Sequence, residues 1–256
     1  RIHGMSPMAL LTRPRPDSEN LAALLRARGV DSLIDPVIDI LPLEGAALPP
    51  LEAIQALLLT SANGVRALAE LLEPPPAARQ IALLAVGAAT AEAARGAGFT
   101  NVVSAGGDVD ALTALAIEQL DPAGGPLLQI AGTRVAGDLS GRLGARGFNV
   151  QRECLYRAEA SAALSAESCT ALVGGKVDMV LFFSPRSARG FVKLIGAADS
   201  ADLMESSDSV AQVTAICLSP AVAEEAAGLT WRRIRVAPVP EQTDLLDEVA
   251  REIEIT

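Results

Sequence analysis

The residues equipped for chemistry recur at one kind of place. A short apolar run stops, one or more of Thr, Ser, Gly, Pro or Arg follow, and a helical pattern begins. LLLTSANGVRAL, residues 57–68, shows it with Thr60-Ser61 at the junction, and so do Thr12-Arg13, Gly87 to Thr90, Gly132 to Arg134, Ser184-Pro185-Arg186 and Ser219-Pro220. In an open parallel sheet, ligands bind beyond the carboxyl ends of the strands, against helix N-termini whose unpaired N–H groups and positive dipole end favour anions. Amides, hydroxyls and guanidiniums gathered there make a cleft for an anion. Each hydroxyl also has a plainer reading as a helix cap, contributing about 1 kcal/mol. Recurrence at several strand ends argues for a shared site without identifying its ligand.

Much other chemistry is excluded. His3 is the only histidine and lies in the opening RIHG, set aside as a remnant before a start at Met5 or Met8. A Ser-His-Asp triad, a Cys-His pair or a typical zinc site would each need histidine, so no metal is expected. Cys154, Cys169 and Cys217 form no CxxC pair and are odd in number, which fits buried thiols in a reduced, cytoplasmic protein. Gly174-Gly175-Lys176 is followed by Val177 rather than a hydroxyl residue, and no GxGxxG follows a strand, so NAD, FAD and ATP find no support. A net charge of −10 disfavours nucleic acid and anionic membranes. The longest uncharged apolar stretch, residues 81–91, is far short of the ~20 residues a bilayer requires, and no signal peptide is visible. Tyr156, the sole tyrosine, is either a packed hinge residue or a group facing the cleft.

The elements that must position these residues are repeated. With 256 residues, half of them hydrophobic but only one Trp, one Tyr and five Phe, the composition favours helices over short parallel strands rather than an aromatic barrel. LLLTSANGVRALAELL lies on LFFSPRSARGFVKLI, placing Ser61 on Ser184 and Arg66 on Arg189. LLAVGAATAEAARGAGF lies on AICLSPAVAEEAAGLTW, and VVSAGGDVDALTALA on RVAPVPEQTDLLDEVA. A fourth type pairs residues 9–30 with residues 127–148, placing Leu25 on Leu143 and Gly29 on Gly147. Each unit reads as strand, loop and amphipathic helix. Calling the types a, b, c and d, the chain reads d, a, b, c, d, a, b, c.

That order predicts one continuous α/β domain, residues 51–153, inserted in a discontinuous one made of residues 8–36 and 176–256. Residues 37–50 and 154–175 are the crossings. DPVIDILPLEG (35–45), where Pro36 and Pro42 resist helix, and ECLYRAEAS (153–161) have the look of two extended segments able to pair. The rival is a plain eight-unit barrel, which fits poorly with Pro-rich interruptions at 42–50 and 74–76 and with low-order loops expected at 160–175.

The chain resembles the uroporphyrinogen-III synthase family over nearly its whole length. The likeness rests on LLTRP (10–14), LLLTSANGVRAL (57–68), AVGAATAEAARGAGF (85–99), YRAEA (156–160), VLFFSPRSARGF (180–191), ICLSPAVAEEA (216–226) and PVPEQTDLL (238–246), taken in order. The resemblance implies two similar flavodoxin-like domains with parallel sheets, one discontinuous, joined by a two-stranded β linker. It implies a cofactor-free, monomeric enzyme whose substrate, the linear tetrapyrrole hydroxymethylbilane, carries eight carboxylates and lies in the interdomain cleft. The product is closed with ring D inverted, through a spirocyclic intermediate and loss of water. Tyr156 matches the tyrosine proposed to assist departure of the hydroxyl. Thr60, Ser61, Thr90 and Ser184 match hydroxyls lining the cleft, and Arg13 matches a recurrent arginine whose role is structural or substrate-binding. Arg134 and Ser219 are further candidates for binding. Where many members carry Gly-Pro-Thr-Thr, this chain reads Ser219-Pro220-Ala221-Val222, so the threonines' roles do not transfer. The competing classes are a non-catalytic two-lobed binding protein for a small anion and a glycosyltransferase.

Overall fold

A computed structural model of the chain describes residues 6–72, 78–134, 137–196 and 210–255. His3, Met5 and the prolines at 74–76 lie outside them. The first half of the chain runs β1 (Met8–Leu11), α1 (Arg15–Arg26), β2 (Asp31–Ile34), β3 (Ile38–Pro42), β4 (Ala56–Leu59), α2 (Ala62–Leu71), β5 (Ala82–Ala85), α3 (Ala88–Gly96), β6 (Val102–Ser104) and α4 (Val109–Gln119). The second runs β7 (Leu127–Gly132), α5 (Leu139–Gly144), β8 (Val150–Ala160), α6 (Ala166–Val173), β9 (Met179–Phe182), α7 (Pro185–Gly196), β10 (Thr214–Cys217), α8 (Pro220–Ala226), β11 (Arg233–Val236) and α9 (Gln242–Ile255).

The chain divides into a unit of Arg1–Asp39 with Glu159–Thr256 and a unit of Ile40–Ala158. In the first, the strands order as β2-β1-β9-β10-β11, all parallel. In the second, the order is β3-β8-β7-β4-β5-β6, parallel from β8 to β6. Strands from matching repeat segments occupy matching places: β7 and β8 stand beside β4 as β1 and β2 stand beside β9. The two open sheets rule out the eight-unit barrel.

Burial on both faces explains why the central strands are continuous apolar runs rather than alternating ones. In β4, Leu57 and Leu59 join a core with α2 and α3, while Ala56 and Leu58 join one with α4 and α5. In the other unit, Ala9 and Leu11 pack with Leu21 and Leu25 of α1 and with Leu245, Leu246 and Val249 of α9. On its opposite face Phe182, Phe191 and Trp231 form an aromatic cluster, with centroids 5.5–5.9 Å apart. The repeat extends to the helix ends. Gly29 (φ 75°) and Gly147 (φ 87°) take the left-handed conformation, which lets the N–H of Val30 and Phe148 donate back to the carbonyls of Leu25 and Leu143 at 3.0 and 3.2 Å.

β3 and β8 are neighbours at the edge of the six-stranded sheet. Leu43 N–H donates to Leu155 O at 2.9 Å, and Ser161 N–H to Val37 O at 3.1 Å, an antiparallel pattern. The expected low-order loop at 160–175 is corrected over Ala166–Val173, which form α6. Ser165 caps this helix, its Oγ accepting from Ser168 N–H at 3.2 Å, and Leu172 is fully buried beneath it. Among the described residues no helix is long and apolar enough to cross a membrane.

Candidate functional site

A cavity of about 310 Å³ opens beyond the carboxyl ends of the strands in the Ile40–Ala158 unit. It is lined by Thr60, Ser61, Val86, Asp108, Val109, Gly132 and Arg134, which end or follow β4 to β7, and by Tyr156 from within β8. The place follows from topology. β4 and β7 are adjacent, but α2 packs on one face of the sheet and α5 on the other, so a crevice forms where the chain turns opposite ways.

At the end of β4, Ser61 has extended backbone (φ −156°, ψ 141°) and caps α2, its Oγ accepting from Asn63 N–H at 3.1 Å. Thr60 precedes the cap and is not one itself. Gly64 in the first turn lies close against the sheet, where a Cβ would make ordinary contacts with Ile130 and Leu59 at 3.6 Å. The N-terminus of α2 is thereby fixed beside the cavity, with its dipole favouring an anion. Asp108 caps α4, its Oδ1 accepting from the N–H groups of Asp110 and Ala111 at 2.9 and 3.0 Å. The cavity wall therefore combines one guanidinium, from Arg134, with one carboxylate committed to a helix end.

Tyr156 reaches the cavity through an irregularity. β7 and β8 pair in step up to Ala131 with Cys154, but Gly132 pairs with Tyr156, leaving Leu155 as an extra residue. Successive side chains of a regular strand point to opposite faces. Here Leu155 and Tyr156, 2% and 8% exposed, both enter the same core cluster. Thr133 N–H donates to the carbonyl of Tyr156 at 3.0 Å and ties the bulge to the loop bearing Arg134.

The cavity thus brings together Thr60, Ser61, Arg134 and Tyr156, and the remaining expected residues do not line it. Thr90 is buried in the third position of α3. Arg13 lies over the Phe183 ring at 4.3 Å, donates to Gln242 Oε1 at 3.3 Å and stands 3.5 Å from Asp17, which braces the loop after β1. Ser184 caps α7, accepting from Ser187 N–H at 3.1 Å. Ser219 stands at the N-cap of α8 without a side-chain cap bond. Asp108 is the charged lining residue that sequence reasoning missed, along with the apolar Val86 and Val109. Its signal was present, since Gly106-Gly107-Asp108 precedes a helical pattern, but a cap motif does not say which cavity it borders.

Two of the thiols are held toward the protonated, less reactive form. Burial pushes Cys217 up to about 12, and burial followed by the nearby Asp35 charge raises Cys169. Among the described residues no group of three His, Cys, Asp or Glu could hold a metal ion.

A family model described as uroporphyrinogen-III synthase HemD matches residues 19–247. Among solved structures, the uroporphyrinogen-III synthetase of Helicobacter pylori is 17% identical, with 96% of this chain and 99% of that one covered and a TM-score of 0.60. A mutant uroporphyrinogen III synthase of Thermus thermophilus is 19% identical, with 98% of this chain and 100% of that one covered and a TM-score of 0.49. No curated protein matches the chain. The Helicobacter pylori likeness shows an α/β fold with parallel sheets and helices.

Proposed function

Because the chain belongs to the uroporphyrinogen-III synthase family, we propose that the cavity at the ends of β4 to β8 receives one ring of hydroxymethylbilane, with Tyr156 assisting the loss of water. The enzyme is a cyclising lyase of tetrapyrrole biosynthesis. The observation that carries the site assignment is the convergence of Thr60, Ser61, Arg134 and Tyr156 on one cavity. At about 310 Å³ it stands at the small end of ligand sites, ~300–1,000 Å³, with room for a substituted pyrrole rather than four.

The chemistry asks little of a nucleophile. The pyrrole nitrogen pushes its electron pair toward the hydroxymethyl carbon, the C–O bond breaks, and the departing oxygen takes a proton and leaves as water. Tyr156, whose hydroxyl is a donor, is placed at the cavity to hydrogen-bond that oxygen. The substituted α-carbon of ring D then attacks the resulting azafulvene, and the spirocycle opens and recloses with ring D inverted. Carboxylates on the held ring are met by the Arg134 guanidinium, the hydroxyls of Thr60 and Ser61 and the N-terminus of α2. Positioning and charge complementarity thereby supply the selectivity.

On this reading the two units are flavodoxin-like domains related by the repeat, and the Arg1–Asp39 with Glu159–Thr256 unit is the discontinuous one. β3 and β8 are their two-stranded link. The matching strand orders and the β3–β8 hydrogen bonds support it. The three unbridged cysteines accord with a cytoplasmic enzyme, and we propose that it acts as a monomer.

Supplying hydroxymethylbilane and separating the uroporphyrinogen isomers tests the function, and isomer III is expected. Formation of isomer I alone, the spontaneous product, would overturn it. Tyr156→Phe is expected to lower turnover with the circular dichroism spectrum unchanged, and an unaltered rate would remove Tyr156 from the reaction.

A further inference from the structure

We propose that Gly132 is a positioning residue for the reaction: its missing side chain, together with the one-residue bulge opposite it, fixes the ring of Tyr156 at the cavity. The inference rests on the assignment of Tyr156 above.

Glycine weakens a strand interior, so its presence at the end of β7 calls for a reason. Gly132 is not among the glycines with positive φ, so backbone conformation does not require it. Space does. A Cβ at 132 would lie 2.8 Å from Cε2 of Tyr156, 2.9 Å from Cζ and 3.3 Å from Cδ2. Side chains do not approach this closely, so the ring and residue 132 cannot both keep their places once any side chain is added. The crowded atoms include Cζ, which bears the hydroxyl. Gly132 is also the residue that pairs with Tyr156 across the bulge, and its carbonyl accepts from Cys154 Sγ at 3.6 Å. Backbone registry and ring position are therefore set at one point, with Leu155 anchoring the strand on the core side. A methyl group at 132 would displace the ring while leaving Thr60, Ser61 and Arg134 in place.

The test compares Gly132→Ala with Gly144→Ala, where an added Cβ meets nothing within 4 Å. A misplacement of order 1 Å can cost about a hundredfold. Gly132→Ala is accordingly expected to lower kcat by about 10- to 100-fold with KM nearly unchanged, while Gly144→Ala stays at the wild-type rate. Because the chain has a single tyrosine, protein labelled with 3-fluorotyrosine gives one fluorine resonance, which Gly132→Ala should shift and Gly144→Ala should not. In a Tyr156→Leu background, where Cε2 and Cζ are gone, adding Gly132→Ala should cost no further activity.

A kcat within twofold of wild type for Gly132→Ala, an unmoved fluorine resonance, or an equal further loss in the Tyr156→Leu background would each overturn the proposal. If Gly132→Ala alone does not fold, the double variant with Tyr156→Leu should fold, and its failure to do so would also overturn it. A wild-type rate for Tyr156→Leu would remove the premise and the proposal together, whereas a slow Tyr156→Leu with a fast Gly132→Ala would leave the assigned function intact and remove this inference alone.

Discussion

Asp108 brings a carboxylate to the wall of the cavity proposed to accept substrate carboxylates. One of its oxygens is held by two backbone N–H groups at the start of α4, and asparagine caps a helix equally well. Asp108→Asn therefore separates the structural use of the residue from its charge. The thermal midpoint should hold, and KM for hydroxymethylbilane should fall, by at most about fivefold for so exposed a group. The gain should shrink as salt is raised, since screening removes what the substitution removes. A drop in kcat instead would show that the carboxylate supports the cationic azafulvene. At this scale the sequence was legible in part. Thr60, Ser61 and Arg134 announced themselves as hydroxyls and a guanidinium at strand ends, Tyr156 stood out as the sole tyrosine on a crossing segment, and Asp108 looked like any helix cap.

The junction of β4 with α2 joins two functions in Ser61. As a cap, its Oγ satisfies the Asn63 N–H; as a wall residue, it is proposed to offer its hydroxyl to a substrate carboxylate. Ser61→Ala should lower unfolding stability by about 1 kcal/mol and weaken substrate binding as well. Ser61→Asp keeps a capping oxygen but adds a negative charge, so stability in urea should be preserved while KM rises. Equal KM values for the serine and aspartate forms would confine Ser61 to the cap. The element pattern itself, an apolar run, a polar junction and an amphipathic helix, could be read along the chain because strand and helix periodicities are local. The bulge in β8 could not. Nothing in LYRAEA marks Leu155 as the residue left out of the pairing with β7, because the choice depends on how β8 registers with β7.

Across the whole molecule the net charge of −10 conceals a local cluster of arginines around one buried carboxylate. Glu252 of α9 is 1% exposed, accepts from Thr214 Oγ1 at 2.8 Å, and pairs with Arg232, Arg233 and Arg235 at 2.5–3.0 Å. Burial acts to raise its pKa, but the bonds from Arg235, Thr214 and Arg233 and the charge of Arg232 outweigh it and hold the carboxyl at about 2 against an ordinary 4.5. A depressed carboxylate stabilises the fold fully above its unfolded value, and the contribution drains away as pH falls from about 4.5 toward 2. It amounts to about 3 kcal/mol. Trp231, the only tryptophan, donates to Ala226 O at 2.7 Å in the same unit. Its fluorescence should show the urea midpoint falling steeply between pH 4.5 and 3. Glu252→Gln should be less stable at pH 7, because three arginines lose a buried partner, and flatter over that acid interval. An unchanged acid slope in the variant would assign the transition to other groups. By itself the sequence determined the alternating strand–helix units, their permuted repeat, the single histidine and the family likeness, all of which are written in composition, residue order or local period. Only the tertiary structure decided that Leu155 is the extra residue turning Tyr156 inward, that Gly132 makes room for its ring, that Asp108 borders the same cavity, and that Glu252 sits among the arginines of β11. Each depends on which distant segments pair and in what register, and shifting a strand pairing by one residue turns every side chain to the opposite face.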